Sequence, residues 1–285
     1  MKIFGTSVVT MIFVVLWSCG SSDKDELVTI HTEYGDIKAI LYDETPLHKK
    51  NFLELAEKGA YDSSIFHRVI QNFMVQGGDI SSKEGYETYD EGTGKIPAEI
   101  NPDFFHHKGA LAAARQGDNI NPERKSSASQ FYIVQGTTYT KEQLTTNEEK
   151  INQSLGKLFE SGKYDSLKTE LIALYQSQNF EAYREKVLGL KPILEKELGE
   201  NYDKEISPEK LEAYSTVGGS PHLDGGYTVF GRVLEGLEVV DKIAAVQTGQ
   251  ASKPMKDIFM TVEVEKVSKF KIEKQYDYEY PSTGE

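Results

Sequence analysis

Short apolar runs recur along this chain between glycine-rich turns: Ile65 to Ile70, Phe73 to Val75, Gly109 to Ala114, Gln130 to Val134, Tyr227 to Val233 and Ile258 to Val267. Runs of this length bounded by turn residues read as strands, and a chain with many short strands and few helices between them folds as a barrel or a sandwich. Hydrophobic residues make up 38% and aromatic residues 11% of the 285 positions, enough apolar surface to offset the entropy of ordering, which excludes a disordered or fibrous chain. Before the first run, Val28, Ile30 and Thr32, then Ile37, Ala39 and Leu41, alternate around Tyr34-Gly35-Asp36, the pattern of a β-hairpin. Thr45-Pro46-Leu47 then predicts a helix start, with threonine as cap and proline in the first turn. Phe52, Leu53, Leu55 and Ala56 give that helix its apolar face, and Lys58-Gly59 ends it.

Residues 139–218 break the rhythm. They carry 26 charged residues in 80, 11 basic and 15 acidic, and only Pro192 and Pro208 interrupt them. Ile151, Leu155, Leu158 and Phe159, then Leu167, Leu171, Leu174 and Tyr175, then Tyr183, Val187, Leu190 and Leu194 repeat at helical spacing, and Ser207-Pro208 starts a further helix. The segment reads as a mostly helical insertion between strand-bearing parts. The last stretch, 271–285, mixes Lys and Glu with Tyr276, Tyr278 and Tyr280 and reads as a tail of low order.

The amino terminus has a different logic. Lys2 precedes an apolar stretch from Ile3 to Trp17, the charged start and apolar middle of an export signal. It ends in Leu16-Trp17-Ser18-Cys19-Gly20, which resembles a bacterial lipobox, with Trp17 bulkier than the usual occupant. That resemblance implies cleavage after residue 18 and lipid on Cys19, the single cysteine of the chain, with 19–26 as a polar tether. The expectation is an exported protein, lipid-anchored to a bacterial membrane, the outer membrane, facing the periplasm or the cell surface. One cysteine also excludes disulfide frameworks, cysteine-rich zinc sites and a Cys-x-x-Cys redox pair. A formal charge of −13, uninterrupted by any basic run, repels a phosphate backbone and argues against nucleic acid as a partner.

The densest chemical signal is Phe66-His67-Arg68-Val69-Ile70-Gln71-Asn72-Phe73-Met74-Val75-Gln76-Gly77-Gly78-Asp79, which sets an arginine, bulky apolar side chains and an amide close together before paired glycines. In Ser129-Gln130-Phe131-Tyr132-Ile133-Val134 strand alternation puts Gln130 and Tyr132 on one face and Phe131 and Ile133 on the other. His222-Leu223-Asp224-Gly225-Gly226-Tyr227-Thr228-Val229-Phe230-Gly231 joins a turn to another strand. The three pieces supply one cation, two amides and an apolar pocket. They offer no nucleophile with a partner base, no carboxylate pair and no phosphate loop, and the six histidines show no metal-ligand spacing beyond the adjacent His106-His107. His67 reads as a hydrogen-bonded packing residue rather than a general base.

Over 27–138 and 219–270 the chain resembles the cyclophilins, the peptidyl-prolyl cis-trans isomerase family, on the Phe-His-Arg, Phe-Met, Gln-Gly-Gly-Asp, Ser-Gln-Phe and Val-Phe-Gly elements in that order. The resemblance implies a mainly β fold: a closed eight-stranded β-barrel capped by two helices, here with the helical insertion 139–218. It implies Arg68 and Gln76 as catalytic residues, and Phe73, Met74, Tyr132 and Leu223 around the substrate proline. Gln130 would hold the peptide backbone, and Ala114 with Arg115 stands where the family has an Ala-Asn pair beside the peptide. Tyr132 replaces the usual phenylalanine, His222 stands where cyclosporin-binding members carry tryptophan, and Tyr227 takes a position often held by histidine. Loss of the indole implies weak cyclosporin binding, and Arg115 suggests a charged rim that favours acidic peptides.

The implied partners are proline-containing unfolded or extended polypeptides, with no metal or organic cofactor, acting on a monomer that assists the folding of exported proteins. The alternative is a non-catalytic cyclophilin-fold chaperone or peptide-binding surface lipoprotein. Rotation about an X-Pro bond meets a barrier of about 18–20 kcal/mol because the amide is conjugated. A guanidinium aimed at the prolyl nitrogen is bound more strongly as that nitrogen loses conjugation, so these residue types fit the reaction.

Overall fold

A computed structural model describes residues 23–89 and 95–280. Among them, nine strands form one sheet in the order β3-β9-β1-β2-β8-β6-β7-β5-β4. The strands are β1 (Lys24–Thr32), β2 (Gly35–Leu41), β3 (Ser64–Ile65), β4 (Arg68–Ile70), β5 (Met74–Gly77), β6 (Ala110–Ala113), β7 (Phe131–Val134), β8 (Val229–Glu235) and β9 (Phe259–Ser268). The predicted hairpin is β1 and β2, antiparallel from Leu27 opposite Ile40 to Thr32 opposite Gly35. The sheet is a curled half-barrel and not the closed eight-stranded barrel expected. Its two edge strands, β3 and β4, are consecutive in the chain, with only Phe66 and His67 between them. The Phe66 N–H still bonds Ile258 O at 3.0 Å and its ring is fully buried, so the chain crosses from one edge to the other through a core side chain instead of a ladder.

Pleating divides the sheet's side chains between two apolar clusters. Val75, Leu111, Ala113, Phe131, Ile133, Phe230 and Val233 point into the main core, which two helices close: α1 (Pro46–Glu57) through Phe52 and Leu55, and α8 (Leu237–Ala244) through Val239, Val240 and Ile243. Their neighbours one position along, Met74, Ala110, Ala112, Tyr132, Val134 and Val229, form a second cluster on the opposite face. That second face carries the candidate site.

Helix α1 begins where predicted but is not capped by Thr45, whose hydroxyl donates to Tyr42 O at 3.2 Å. Glu99, some fifty residues away, caps it instead. Its carboxylate accepts the Leu47 and His48 N–H groups at 3.0 Å each and His48 Nδ1 at 2.6 Å. A carboxylate at a helix start satisfies orphan donors and complements the helix dipole. Glu99→Gln should therefore destabilise the chain by about 1–2 kcal/mol, since an amide turns one donor toward other donors. Chemical denaturation checks this, and an unchanged midpoint would contradict it.

The insertion is mostly helical: α2 (Lys141–Thr145), α3 (Glu148–Phe159), α4 (Asp165–Gln176), α5 (Phe180–Leu188), α6 (Lys191–Leu198) and α7 (Pro208–Thr216). Ile151, Leu158, Leu171, Val187, Leu190, Leu194 and Tyr202 give it a core of its own. Its two ends leave and re-enter the sheet at one place. Thr137 and Gly219 exchange backbone hydrogen bonds at 3.2 and 2.9 Å, and Lys108 N–H reaches Gly218 O at 2.9 Å. The closeness demands glycine: a Cβ on Gly136 would lie 2.4 Å from Gly219 Cα, and one on Gly219 would lie 2.2 Å from His106 O.

A separate compact unit gathers residues 23–25 and 266–280. In it residues 271–276 of the tail expected to be of low order lie in α9 (Lys269–Tyr276), started by the Ser268 hydroxyl accepting Lys271 N–H at 3.3 Å. Lys24 to Glu26, read from sequence as tether, belong to strand β1, because ladder pairing uses backbone groups and tolerates polar side chains. Cys19 and the export signal lie outside the described residues.

Candidate active site

The site is a row drawn across the sheet. In the β4–β5 hairpin Arg68 pairs with Gln76 and Ile70 with Met74. On β5 and β7, Gln76 pairs with Tyr132 and Met74 with Val134. On β6, Ala112 faces Tyr132, and on β8 Val229 faces Ala112. Directly opposed residues share a face, so register alone lines up Arg68, Gln76, Tyr132, Ala112 and Val229. The Arg68 guanidinium donates to Gln76 Oε1 at 3.2 Å, and Gln76 Nε2 donates to Gln130 Oε1 at 3.2 Å. Gln130, just ahead of β7, is itself held by Ser127 Oγ on its N–H at 2.9 Å. One cation and two amides thus form a continuous hydrogen-bonded chain, half-buried along the lip of the second cluster.

Beside that chain lies the apolar pocket. Met74, Ala114, Tyr132 and Leu223 are buried in it, and Phe73 and Tyr227 pack against them from partly exposed positions. Phe73 sits in the hairpin turn, whose Asn72 has φ of 62°. The exposed His222 ring lies 5.3 Å from that of Phe73, and burial of part of the imidazole holds its pKa below the ordinary value, so it is neutral at pH 7. Burial likewise pushes the His67 pKa below its ordinary value.

Arg115 behaves differently from the sequence expectation. Its side chain is only 5% exposed, donates to Gly226 O at 2.7 Å and to Asp118 at 2.6 Å, and stacks 4.4 Å from the Tyr227 ring centroid. It is a clamp on the Gly225–Tyr227 loop, its charge already matched by Asp118, and it presents no free cation to acidic peptides.

A network that the sequence did not reveal lies behind the pocket. The Tyr132 hydroxyl meets His106 Nε2 at 2.9 Å, and His106 Nδ1 meets Asp224 Oδ1 at 3.0 Å. Asp224 also accepts the His106 N–H at 3.0 Å and the Tyr214 hydroxyl, from helix α7, at 2.8 Å. Burial pushes the Asp224 carboxyl up, but the hydrogen bonds from His106 and Tyr214 outweigh it and hold the pKa below its ordinary value. The ionised carboxylate assigns the Nδ1 proton to His106, leaving Nε2 to accept from Tyr132, whose phenol burial pushes well above its usual range. The one sequence signal was Tyr132 itself: a buried phenol requires a polar partner.

Comparison with known proteins points to one family. The family model for cyclophilin type peptidyl-prolyl cis-trans isomerases matches residues 27–154 and 208–264, leaving out the middle of the insertion. A Streptococcus pyogenes protein named as a bifunctional phosphatase/peptidyl-prolyl cis-trans isomerase is 31% identical over 83% of this chain, which spans only 38% of that protein's length. A Staphylococcus epidermidis protein with a peptidyl-prolyl cis-trans isomerase name is 28% identical over 85% of this chain and 93% of its own. For an Arabidopsis thaliana peptidyl-prolyl cis-trans isomerase the figures are 28%, 81% and 90%. A crystal structure of a Cryptosporidium parvum cyclophilin type isomerase aligns with TM-score 0.49 at 20% identity, covering 85% of this chain and 98% of that one. With the family model matched across most of its length and both halves of the interrupted sheet included, the chain belongs to the cyclophilin-type peptidyl-prolyl cis-trans isomerases.

Proposed function

We propose that this isomerase acts on proline-containing unfolded or extended polypeptides, with the proline ring against Phe73, Met74, Tyr132 and Leu223 and the prolyl amide before Arg68. The observation that carries the reading is the Arg68–Gln76–Gln130 chain beside a pocket closed by aromatic rings. Gln76 holds the guanidinium at 3.2 Å, so a strong donor is already oriented before substrate arrives. When the X-Pro bond twists, its nitrogen recovers a lone pair and becomes a better acceptor, which makes the Arg68 interaction stronger in the transition state than in either planar form. Gln76 and Gln130 fix the flanking backbone while the pocket grips the ring, so rotation is confined to one bond. No bond is cleaved and no proton leaves the substrate. Protease-coupled measurement of exchange in a short proline peptide, wild type against Arg68→Ala, tests the reading.

Export and lipid anchoring at Cys19 complete the proposal, with folding proteins beyond the inner membrane as clients. The reading rests on the Ile3–Trp17 apolar stretch and the Leu16-Trp17-Ser18-Cys19 sequence. Lipid chains contribute roughly 0.8 kcal/mol per buried CH₂, so several on one residue suffice for stable attachment. Cells fed a labelled fatty acid should incorporate it into the wild-type chain and not into Cys19→Ser, which should leave the membrane fraction. Label in both chains, or in neither, would contradict the anchor.

A further inference from the structure

Beyond the proline pocket lies a groove of about 900 Å³, walled on one side by the insertion and on the other by the sheet's loops. Tyr139, Leu144, Thr146, Arg184, Ile206 and Tyr214 come from the insertion, and Asp103, Pro221, His222 and Asp224 face them. Arg184, Lys204, Glu205 and Ile206 fall in the stretch 155–207 that the family model does not match, so the insertion adds side chains to a groove whose other walls lie in matched residues. His222 belongs to both places: its ring packs near Phe73 and it also lines the groove, so groove and pocket share one side chain. An extended chain advances about 3.3 Å per residue, so a polypeptide whose proline fills the pocket can run on past His222 into the groove.

The lining has a sign. Asp103, Glu148, Glu149, Glu205, Glu209 and Asp224 oppose Arg184, Lys204 and Lys210. Two of those cations already face carboxylates, Arg184 on Glu148 at 2.8 Å and Lys210 near Asp224 at 3.7 Å, so the groove's balance is acidic. Its floor also holds an unmet hydrogen-bonding group: Thr146 is 3% exposed and its hydroxyl has no partner in the protein. Buried polar groups are normally paired, and this one, shielded from solvent beside the groove, is left without a protein partner. A second copy of this chain is a poor occupant, because a net charge of −13 makes copies repel.

We infer that this groove is a second binding site for the substrate polypeptide, taking basic residues that flank the proline held in the pocket. The inference rests on the isomerase reading for what occupies the pocket, and binding separates the two. The experiment uses two proline peptides of equal length, one with flanking lysines and one with flanking glutamates. Each is titrated calorimetrically into the full-length Arg68→Ala chain and into Arg68→Ala carrying Glu205→Lys and Glu209→Lys. Both glutamates are exposed, so the reversal leaves the fold intact, which an unchanged melting temperature verifies. The lysine peptide is expected to bind about fivefold tighter than the glutamate peptide, a preference that shrinks with salt and inverts in the charge-reversed chain. Equal affinity for the two peptides, or a preference that survives reversal, overturns the inference. A dimer in sedimentation that the reversal dissolves also overturns it, in favour of self-association. If the wild type binds with this preference but accelerates no exchange, the isomerase reading fails and the groove stands.

Discussion

Arg68→Ala should lower kcat/KM for a proline peptide by roughly 10²–10³-fold, the loss seen when one preorganised donor to a transition-state charge is removed. The fall should appear mainly in kcat. The pocket side chains Met74, Tyr132 and Leu223 are packed into their own cluster and do not depend on the guanidinium, so ground-state binding of proline is retained. Arg68 is half-buried and donates to Gln76, a bond at the lip of the site and not in the core, so the substitution should leave the fold's stability within about 1 kcal/mol. Arg68→Lys should recover only part of the rate, because an ammonium lacks the planar fork that serves Gln76 and the prolyl nitrogen together. Equal acceleration by wild type and Arg68→Ala would remove the catalytic assignment of Arg68, and acceleration by neither would leave a peptide-binding module.

The second large effect is expected at a residue behind the proline pocket, outside the Arg68–Gln76–Gln130 chain. Asp224→Ala takes the acceptor from the His106 N–H, from His106 Nδ1 and from the Tyr214 hydroxyl at once. His106 and Tyr214 are 1% and 0% exposed, so water cannot replace what is lost. A cost of about 2–4 kcal/mol follows, less than three independent bonds because the groups form one network. Tyr214→Phe, which breaks a single bond, should cost about 1 kcal/mol. Since His106 also anchors the Tyr132 hydroxyl, Asp224→Ala should raise KM for proline peptides as well as lower the melting temperature. The pH dependence fixes the sign. Asp224 has its folded-state pKa held below the ordinary carboxylate value of about 3.9, so its stabilisation is complete above that value and vanishes as pH falls through the folded-state pKa. The stability gap between wild type and Asp224→Ala should be full at neutral pH and close in strong acid. A gap of the same size at both extremes would show that the carboxylate is not what the network depends on.

How far the sequence could be read depended on the range of the interactions involved. Alternation at Gln130 to Val134 put Tyr132 on the site face and Phe131 in the core, and the two clusters divide as that period requires. Helical spacing in 139–218 likewise reflects local chemistry. Long-range hydrogen bonds have no period. Nothing near Pro46 signals that Glu99 caps α1 in place of Thr45, and nothing near Arg115 signals Gly226 and Tyr227 closing around it. Sheet closure is just as remote, for it turns on whether two residues, Phe66 and His67, pair across an edge or fill the core.

The place of β8 in the sheet has a consequence for synthesis. β8 lies between β2 and β6, and it follows the whole insertion in the chain. Until residues 229–235 leave the ribosome, β2 and β6 both present a bare edge, each a template for pairing with another chain. Eighty intervening residues, at about 5–20 residues per second, prolong that exposure by roughly 4–16 s. The insertion's own core and the Thr137–Gly219 clamp shorten the search that comes next. Once α3 to α6 have packed, the two ends stand side by side and β8 is delivered to its slot by a short tether instead of a long coil. An isomerase built this way spends part of its own biogenesis in the edge-exposed state in which newly made chains are most prone to mispair.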